Sequence, residues 1–337
     1  MNPYNSVIRG RWVPVAALLL FLVFCSVDWA AAESLQKASF IPQWSPQAQF
    51  AGYYTAYEKG FYKNHGIDLE LIAGGPDKPA LDWLRKQKAD FATAWLCTAL
   101  QNRSHGLQLV NVAQIIQKSA LMLVTRKSSG ITKPADLNGR KVSLWEGDFS
   151  IQPLLFLRQY RLNVEIIPQA YTLNLFLRGG VDAASAMWYN EYHTIINAGI
   201  NPDELSTIFY DEYGLNFPED GIYTLEETLR EKPEMVCAFV KASLEGWEYA
   251  FSHQDEALDI VLKYMEAAKI PANRVHQKWM LERMQDIMRP RKQGAKVGAL
   301  DRSDFANVAD QLFQDGLIEK FIPFDVFYRS CDADAKK

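Results

Sequence analysis

Cysteine and histidine are scarce in this chain of 337 residues, which holds 4 cysteines and 5 histidines. Cys25 lies in an N-terminal targeting segment, and the remaining cysteines are widely spaced, which is neither a disulfide framework nor a zinc pattern. We therefore expect Cys97 and Cys237 to be buried thiols. The histidines show no metal-ligand spacing, so the sequence predicts no metal site.

The chain has no excess of positive charge, since 36 Lys and Arg residues and 40 Asp and Glu residues give a formal net charge of -4 at pH 7. This balance argues against a nucleic-acid partner and against an anionic membrane surface. The chain has no solenoid period, low-complexity tract or phosphate-binding loop. With 48% hydrophobic residues, it is long enough to form two lobes of ordinary size.

The longest N-terminal apolar run, residues 13–25, is too short to span a bilayer comfortably. Arg9 and Arg11 precede it, and residues 29–32 (Trp-Ala-Ala-Ala) follow it, which is typical of a signal peptide with a small-residue cleavage site. We expect cleavage after Ala32 and, in a bacterium, a periplasmic mature protein. An uncleaved anchor is the alternative. Lipidation is disfavoured because the bulky Phe24 precedes the cysteine.

The mature sequence alternates between strand and helix patterns. Residues 39–44 form a predicted strand, a helix follows with an apolar stripe at helical spacing, and residues 67–73 alternate as a second strand. The stripe comprises Phe50, Tyr53, Tyr54, Tyr57 and Phe61. Such a β-α-β unit has parallel strands. Further strands are predicted at 89–96, 107–116, 120–125, 141–145, 164–168, 181–188 and 205–210.

This pattern predicts an α/β fold of two lobes joined by two crossing strands, with a ligand cleft between the lobes. We place the first lobe at residues 39–126 and 224–330 and the second lobe at residues 127–223. The chain would cross near residues 125–131 and return near residues 217–221. The helices after residue 226 are expected to pack on the first lobe.

The opening unit resembles a known family in the order of its motifs. These are Gln43-Trp44 at a strand end, Pro46, Glu58-Lys59-Gly60-Phe61-Tyr62 at a helix end, Gly66-Ile67-Asp68, a strand, and Gly74-Gly75. The family holds periplasmic receptors for alkanesulfonates, taurine, nitrate and thiamine pyrimidine precursors, together with a eukaryotic thiamine pyrimidine synthase. Over residues 39–251, the resemblance implies the type II periplasmic-binding-protein fold.

Ligands of open α/β sheets sit outside the carboxyl ends of the strands, so candidate residues lie at or near the turns that follow the strands. The predicted ligand-binding residues are Trp44, Tyr53, Trp95, Thr98, Trp145, Asp148, Trp188, Tyr189 and Glu191. The aromatic side chains would wall a planar ligand, and the carboxylates would accept hydrogen bonds from its amino groups.

Several candidates also have a structural interpretation. Trp44 could cap the core, and the stripe places at least one of Tyr53 and Tyr54 inside it. Asp148 could be a helix N-cap. Glu191 could be a first-turn acidic residue that the helix dipole favours.

The synthase requires a lysine that carries pyridoxal phosphate and a histidine that is consumed. Aligned on Lys88-Ala89-Asp90, these positions are Ala94 and Thr98, and the synthase's cysteine-rich run is absent near residues 217–223. Without the lysine no Schiff base forms at this position, so we expect no catalytic residue and no cofactor. Pyrimidine receptors carry a Glu about where this chain has Trp188, and the extra aromatic ring would suit a larger, flavin-like ligand.

We therefore predict a monomeric substrate-binding protein that hands a small ligand to the permease of an ABC importer by closing its cleft. The expected ligand is a nitrogen heterocycle related to thiamine or a similar vitamin. A pyridoxal-phosphate-dependent pyrimidine synthase is one alternative. A sulfonate or nitrate receptor, for which Arg126 or Arg178 could supply charge, is another, and a sensory module that presents ligand to a membrane receptor is a third.

Overall fold

The computed structural model describes residues 34–331. The predicted targeting segment and its cleavage site lie outside the described residues. Within the described range, no helix is both long enough and apolar enough to cross a membrane.

Strands and helices alternate along the first two thirds of the described chain, which confirms the α/β prediction. The strands are β1 (Gln36–Ile41), β2 (Ile67–Leu71), β3 (Phe91–Trp95), β4 (Leu109–Gln114), β5 (Leu121–Arg126), β6 (Lys141–Leu144), β7 (Glu165–Pro168), β8 (Ala183–Met187), β9 (Leu205–Phe209) and β10 (Asp220–Leu225). The α-helices are α1 (Ala51–Glu58), α2 (Phe61–Asn64), α3 (Ala80–Arg85), α4 (Leu96–Ser104), α5 (Ile151–Gln159), α6 (Asn174–Leu177), α7 (Glu191–Asn197), α8 (Glu226–Glu231), α9 (Pro233–Ser252), α10 (Gln254–Ala267), α11 (Arg274–Met288), α12 (Arg302–Gln314) and α13 (Phe324–Phe327).

The strands form two sheets with the same plan. The first sheet has the order β2-β1-β3-β10-β4, and the second has the order β7-β6-β8-β5-β9. In each sheet the first three strands are parallel and the fourth runs antiparallel to its neighbours. We call the first sheet with its packed helices the first lobe, and the second sheet with α5 to α7 the second lobe.

The chain changes lobe earlier than the sequence pattern predicted. Residues 120–125 were assigned to the first lobe, but β5 pairs with β8, with Leu121 opposite Met187. On the return, β10 pairs with β3, with Asp220 opposite Trp95. The antiparallel fourth strand of each sheet is thus the strand that has just crossed. An apolar strand pattern predicts burial, but it does not say which sheet buries the strand, and this assignment was wrong.

The predicted stripe of the first helix is only partly buried. Phe50, Tyr53 and Tyr54 lie in the core, whereas Tyr57 is 40% exposed. Gly60 adopts a positive φ of 75° and separates α1 from α2, a conformation that glycine tolerates without steric cost.

Helix α9 packs against α1 and holds the C-terminal helices on the first lobe. A Cβ at Gly246 would lie 2.2 Å from the carbonyl oxygen of Gly52, so only glycine permits this close helix crossing. On the same helix, Phe239 stacks on Phe91 of β3 at 4.0 Å between ring centroids. These contacts bind the long helix to the sheet.

Cys237 of α9 forms a disulfide with Cys331, which follows α13, and the two Cα atoms are 5.2 Å apart. The prediction of a free thiol at Cys237 was therefore wrong. The partners are separated by 94 residues, and such a spacing carries no recognisable signature in a single sequence. Cys97 is a buried free thiol, as predicted.

Candidate functional site

A cleft of about 710 Å³ lies where the turns after β1, β2 and β3 meet the turns after β6, β7 and β8. Its lining residues from the first lobe are Gln43, Trp44, Gln47, Gln49, Gly75, Pro76, Pro79, Ala80, Leu81, Asp82, Thr93, Ala94, Trp95, Thr98 and Asn102. Those from the second lobe are Trp145, Glu146, Gly147, Asp148, Phe149, Gln169, Ala170, Tyr171, Met187, Tyr189, Asn190 and Glu191. The cleft thus lies at the carboxyl ends of parallel strands in both sheets, where ligands of open α/β sheets bind.

Seven of the nine residues that the sequence singled out line this cleft. They are Trp44, Trp95, Thr98, Trp145, Asp148, Tyr189 and Glu191. The first three come from the first lobe and the other four from the second. Ligand contact by these side chains remains a prediction.

Tyr53 and Trp188 do not reach the cleft. Tyr53 is 1% exposed, and its ring packs against Phe40 at 4.7 Å, because it belongs to the core-facing stripe of α1. Trp188 packs against Phe209 at 5.9 Å. Successive side chains at a strand end point to opposite faces, so Trp188 points away from the cleft that its neighbours Met187 and Tyr189 line.

Phe149, which the sequence analysis missed, is the centre of an aromatic cluster. Its ring makes edge contacts at 5.8 Å with Trp44, at 4.8 Å with Trp95 and at 5.8 Å with Trp145. Two of these partners belong to the first lobe, so Phe149 bridges the cleft. The sequence feature that could have identified Phe149 is its position directly after the predicted turn at Trp145–Asp148.

Tyr171 is a second aromatic residue that the sequence analysis missed. It is 76% exposed and lies 5.9 Å from the ring of Trp44. An exposed ring beside a cleft wall is available to a planar ligand. The sequence feature that could have identified Tyr171 is its position just after β7, the second parallel strand of the second lobe in chain order.

The turn after β6 brings backbone and a carboxylate to the cleft. Gly147 has a φ of +66°, which suits glycine. The N-cap positions of the following 3₁₀ turn and of α5 are Glu146 and Ser150. Asp148 is therefore not a helix cap, and its exposed carboxylate lines the cleft.

Glu191 is held by two donors in the cleft wall. The Met187 backbone N–H donates to one carboxylate oxygen at 2.9 Å, and the Asn190 side-chain amide donates to the other at 2.8 Å. Burial raises the pKa of Glu191 to about 7, although both hydrogen bonds favour the charged form. The carboxyl group can therefore accept or release a proton near neutral pH.

Asp220, at the start of β10, supports the opposite wall. It is 2% exposed and accepts hydrogen bonds from the side-chain amides of Gln43 and Gln49, both of which line the cleft. Burial raises the pKa of Asp220 to about 7, against the effect of the hydrogen bond from Gln49. This carboxyl group orients two glutamines on the first-lobe side.

The charged side chains among the cleft-lining residues are all acidic. Asp82, Glu146, Asp148 and Glu191 line it, and among residues 34–331 no lysine, arginine or histidine does so. Arg126, one of the two arginines considered as anion-binding residues, instead donates to the Leu177 carbonyl at 3.1 Å. The described part of the chain also contains no group of three or more His, Cys, Asp or Glu side chains placed to hold a metal.

Comparison with known proteins agrees with this architecture. The family model described as NMT1/THI5 like matches residues 47–257. A formylaminopyrimidine-binding protein of Halalkalibacterium halodurans is 24% identical over 75% of this chain and 78% of its own length. The riboflavin-binding protein RibY of Chloroflexus aurantiacus is 24% identical over 71% of this chain and 70% of its own length.

A 4-amino-5-hydroxymethyl-2-methylpyrimidine phosphate synthase of Saccharomyces cerevisiae matches a shorter part, with 23% identity over 53% of this chain and 50% of its own. Among solved structures, the aliphatic sulphonate binding protein SsuA of Escherichia coli superposes with a TM-score of 0.65 at 17% identity, over 85% of this chain and 95% of that one. The structural likeness confirms the predicted periplasmic-binding-protein fold.

Proposed function

The chain belongs to the NMT1/THI5-like family, and on this basis we propose that it is an exported substrate-binding protein that delivers a planar nitrogen heterocycle to an ABC importer. The ligand would enter the cleft between the lobes, which would close on it. Two relatives are named as binding proteins for a formylaminopyrimidine and for riboflavin, and both of these ligands are flat and rich in nitrogen.

The observation that carries this proposal is the pairing of aromatic walls with acidic lining residues. Trp44, Trp95 and Phe149 supply flat apolar surface from both lobes, and such rings stack on heterocycles. Glu191 and Asp148 offer acceptors to the amino or imino N–H groups that such heterocycles carry. Aromatic rings supply contact area, and the few carboxylates supply orientation.

The charge of the cleft argues against a sulfonate or nitrate receptor. Anion sites use arginine, hydroxyl clusters or helix N-termini, whereas the charged cleft-lining side chains among residues 34–331 are all carboxylates. An anionic ligand would enter a negative field and lose affinity.

The residues of the cleft also argue against the synthase. Ala94 and Thr98, which stand where the resemblance places the synthase's lysine and histidine, both line the cleft. Alanine cannot form the Schiff base that pyridoxal phosphate chemistry requires. A binding function needs neither residue.

Export is supported by two independent features. The N-terminal sequence has the basic, apolar and small-residue regions of a signal peptide, and the disulfide between Cys237 and Cys331 is typical of oxidising compartments. A periplasmic location in a bacterium is part of the proposal, as is delivery to a membrane permease.

The test is a ligand screen on the chain that begins at Glu33. Thermal unfolding would be followed with formylaminopyrimidine, hydroxymethylpyrimidine, thiamine, riboflavin, taurine, alkanesulfonates, nitrate and pyridoxal phosphate. We expect a heterocycle to raise the melting temperature and to be recovered unchanged. Stabilisation by sulfonate or nitrate alone would contradict the proposal, as would turnover of pyridoxal phosphate.

A further inference from the structure

Beside the cleft, α7 of the second lobe contacts α11, one of the helices that follow β10. His193 Nδ1 lies 2.9 Å from His276 Nδ1, and His276 Nε2 lies 2.8 Å from Asn190 Oδ1. Asn190 is also the residue whose amide donates to Glu191. A row of hydrogen bonds therefore connects a helix of the first lobe to a carboxylate in the wall of the second.

The direction of these bonds follows from the chemistry of each group. An ionised Glu191 can only accept, so the Asn190 amide nitrogen donates to it and the Asn190 oxygen must accept elsewhere. The donor is the Nε2–H of His276. A neutral imidazole has one N–H, so His276 Nδ1 accepts, and the Nδ1–H of His193 donates to it.

Aromatic packing holds the histidine pair in place. The His193 ring stacks on Trp279 at 4.9 Å with an interplanar angle of 14°. Trp279 in turn donates its indole N–H to the backbone carbonyl of Trp188 at 3.0 Å. Arg283 lies 4.6 Å from the ring of Trp279 and 4.9 Å from that of Trp188. Side chains from both lobes thus fix the geometry of the hydrogen-bonded row.

We propose that His276 is a positioning residue for ligand recognition, which holds Asn190, and through it Glu191, in the orientation that receives a ligand N–H. This inference rests on the proposed function, because it assigns a ligand-facing role to Glu191. The inference adds that His276, a side chain of the first lobe, sets the orientation of Glu191, a carboxylate of the second lobe. Recognition by Glu191 is therefore coupled to contact between the lobes.

The neutral state of the pair fits this role. Burial, together with a smaller effect of His193, lowers the pKa of His276 to about 4, and burial also lowers the pKa of His193. The other titratable or charged groups near the pair are Glu191, reached through Asn190, Arg283 over Trp279, and Tyr192, whose ring lies 6.2 Å from Trp279. The uncharged Asn197 amide has its nitrogen 3.1 Å from His193 Nδ1. Because the Nδ1–H of His193 donates to His276, the Asn197 amide has to turn its oxygen toward this nitrogen.

The test compares His276→Ala with His276→Gln, since the glutamine amide can place an N–H near the position of Nε2. The exposed His105 supplies His105→Ala as a matched control. The first readout needs no ligand: the Glu191 carboxyl is titrated by carbon NMR, with Glu191→Gln to assign its signal. Because the Asn190 hydrogen bond favours the charged form, its loss in His276→Ala should raise the pKa of Glu191.

The second readout is the dissociation constant for formylaminopyrimidine and for riboflavin between pH 6 and pH 8. We expect His276→Ala to weaken binding about 10-fold, as for loss of a hydrogen bond to a charged group. The pH above which the ligand binds tightly should also be higher in His276→Ala than in wild type. His276→Gln should stay within about 3-fold of wild type, and His105→Ala should match wild type in both readouts.

An unchanged Glu191 titration and unchanged affinity in His276→Ala would overturn the inference. Equal losses in His276→Ala and His276→Gln would also overturn it, because packing alone would then explain the effect. If wild type binds no heterocycle while the Glu191 titration still shifts in His276→Ala, the proposed function fails and the positioning of Glu191 by His276 stands.

Discussion

At the scale of single residues, two tryptophans that look alike in sequence have different roles in the structure. Trp44 and Trp188 both follow parallel strands, yet Trp44 lines the cleft and Trp188 packs between Phe209 and Arg283. The strand alternation at Met187 decides this, since neighbouring side chains point to opposite faces. Position at a strand end therefore does not by itself place a side chain in the cleft.

Trp44→Ala and Trp188→Ala should separate binding from stability. Trp44→Ala removes a cleft wall, so we expect ligand affinity to fall about 10-fold or more, with little change in melting temperature. Trp188→Ala removes packing and a cation–π contact and should cost roughly 1–3 kcal/mol of unfolding free energy. Calorimetric titration with the heterocycle that stabilises wild type, alongside thermal unfolding, would measure both. Full affinity in Trp44→Ala would contradict the assignment of this wall.

At the scale of elements, the two chain crossings carry a buried polar network. Glu219, just before β10, is 1% exposed and accepts from the backbone N–H of Ala120, just before β5, at 2.5 Å. Asn216 accepts from the Ser119 backbone N–H at 3.0 Å and donates to the Gln117 carbonyl at 3.1 Å. These bonds tie the two crossings together.

Glu219 should make folding stability depend on pH. Burial raises the pKa of Glu219 well above its usual range, with a smaller contribution from Asp220. The folded state therefore keeps a proton that the unfolded state releases above pH about 4.5, and wild-type stability falls as pH rises from there toward the raised pKa. Glu219→Gln cannot titrate but retains an acceptor, so its stability relative to wild type should increase over this range.

Glu219→Ala is the matched control, because it leaves the buried N–H of Ala120 without its acceptor. We expect it to lose about 1–3 kcal/mol at pH 5, where Glu219→Gln should be close to wild type. Denaturant unfolding at pH 5 and pH 8 would give the free energy of unfolding of wild type, Glu219→Gln and Glu219→Ala. A constant difference between Glu219→Gln and wild type at both pH values would show that Glu219 does not titrate as argued.

These elements also show which parts of the fold could be read from sequence. Local periodicity predicted β1, α1 and β2, because a strand or helix pattern depends on near neighbours. It could not assign β5 to a sheet, because that depends on pairing with β8, some 60 residues away in the chain. The contacts of Asp220 and His276 were not predicted for the same reason, since their partners Gln43 and Asn190 are remote in sequence.

At the scale of the whole molecule, the disulfide closes the C-terminal half of the first lobe. It joins α9 to the segment after α13 across 94 residues, and a cross-link limits the conformational entropy of the unfolded chain. Cys237→Ser should therefore lower the free energy of unfolding by roughly 2–4 kcal/mol. Cys97→Ser, at the buried free thiol, is the control for thiol loss. A reductant should lower the unfolding temperature of wild type and of Cys97→Ser, whereas it should not change that of Cys237→Ser, which has no disulfide to reduce.

The central claim is that the cleft binds an unmodified planar heterocycle. Native mass spectrometry of the chain from Glu33, with riboflavin, formylaminopyrimidine or, in a separate sample, pyridoxal phosphate added, tests it directly. We expect a one-to-one complex whose added mass equals that of the intact ligand. This complex should dissociate on denaturation and should be less populated in Trp44→Ala at the same ligand concentration. Absence of any heterocycle complex, or a pyridoxal phosphate adduct that survives denaturation, would contradict it.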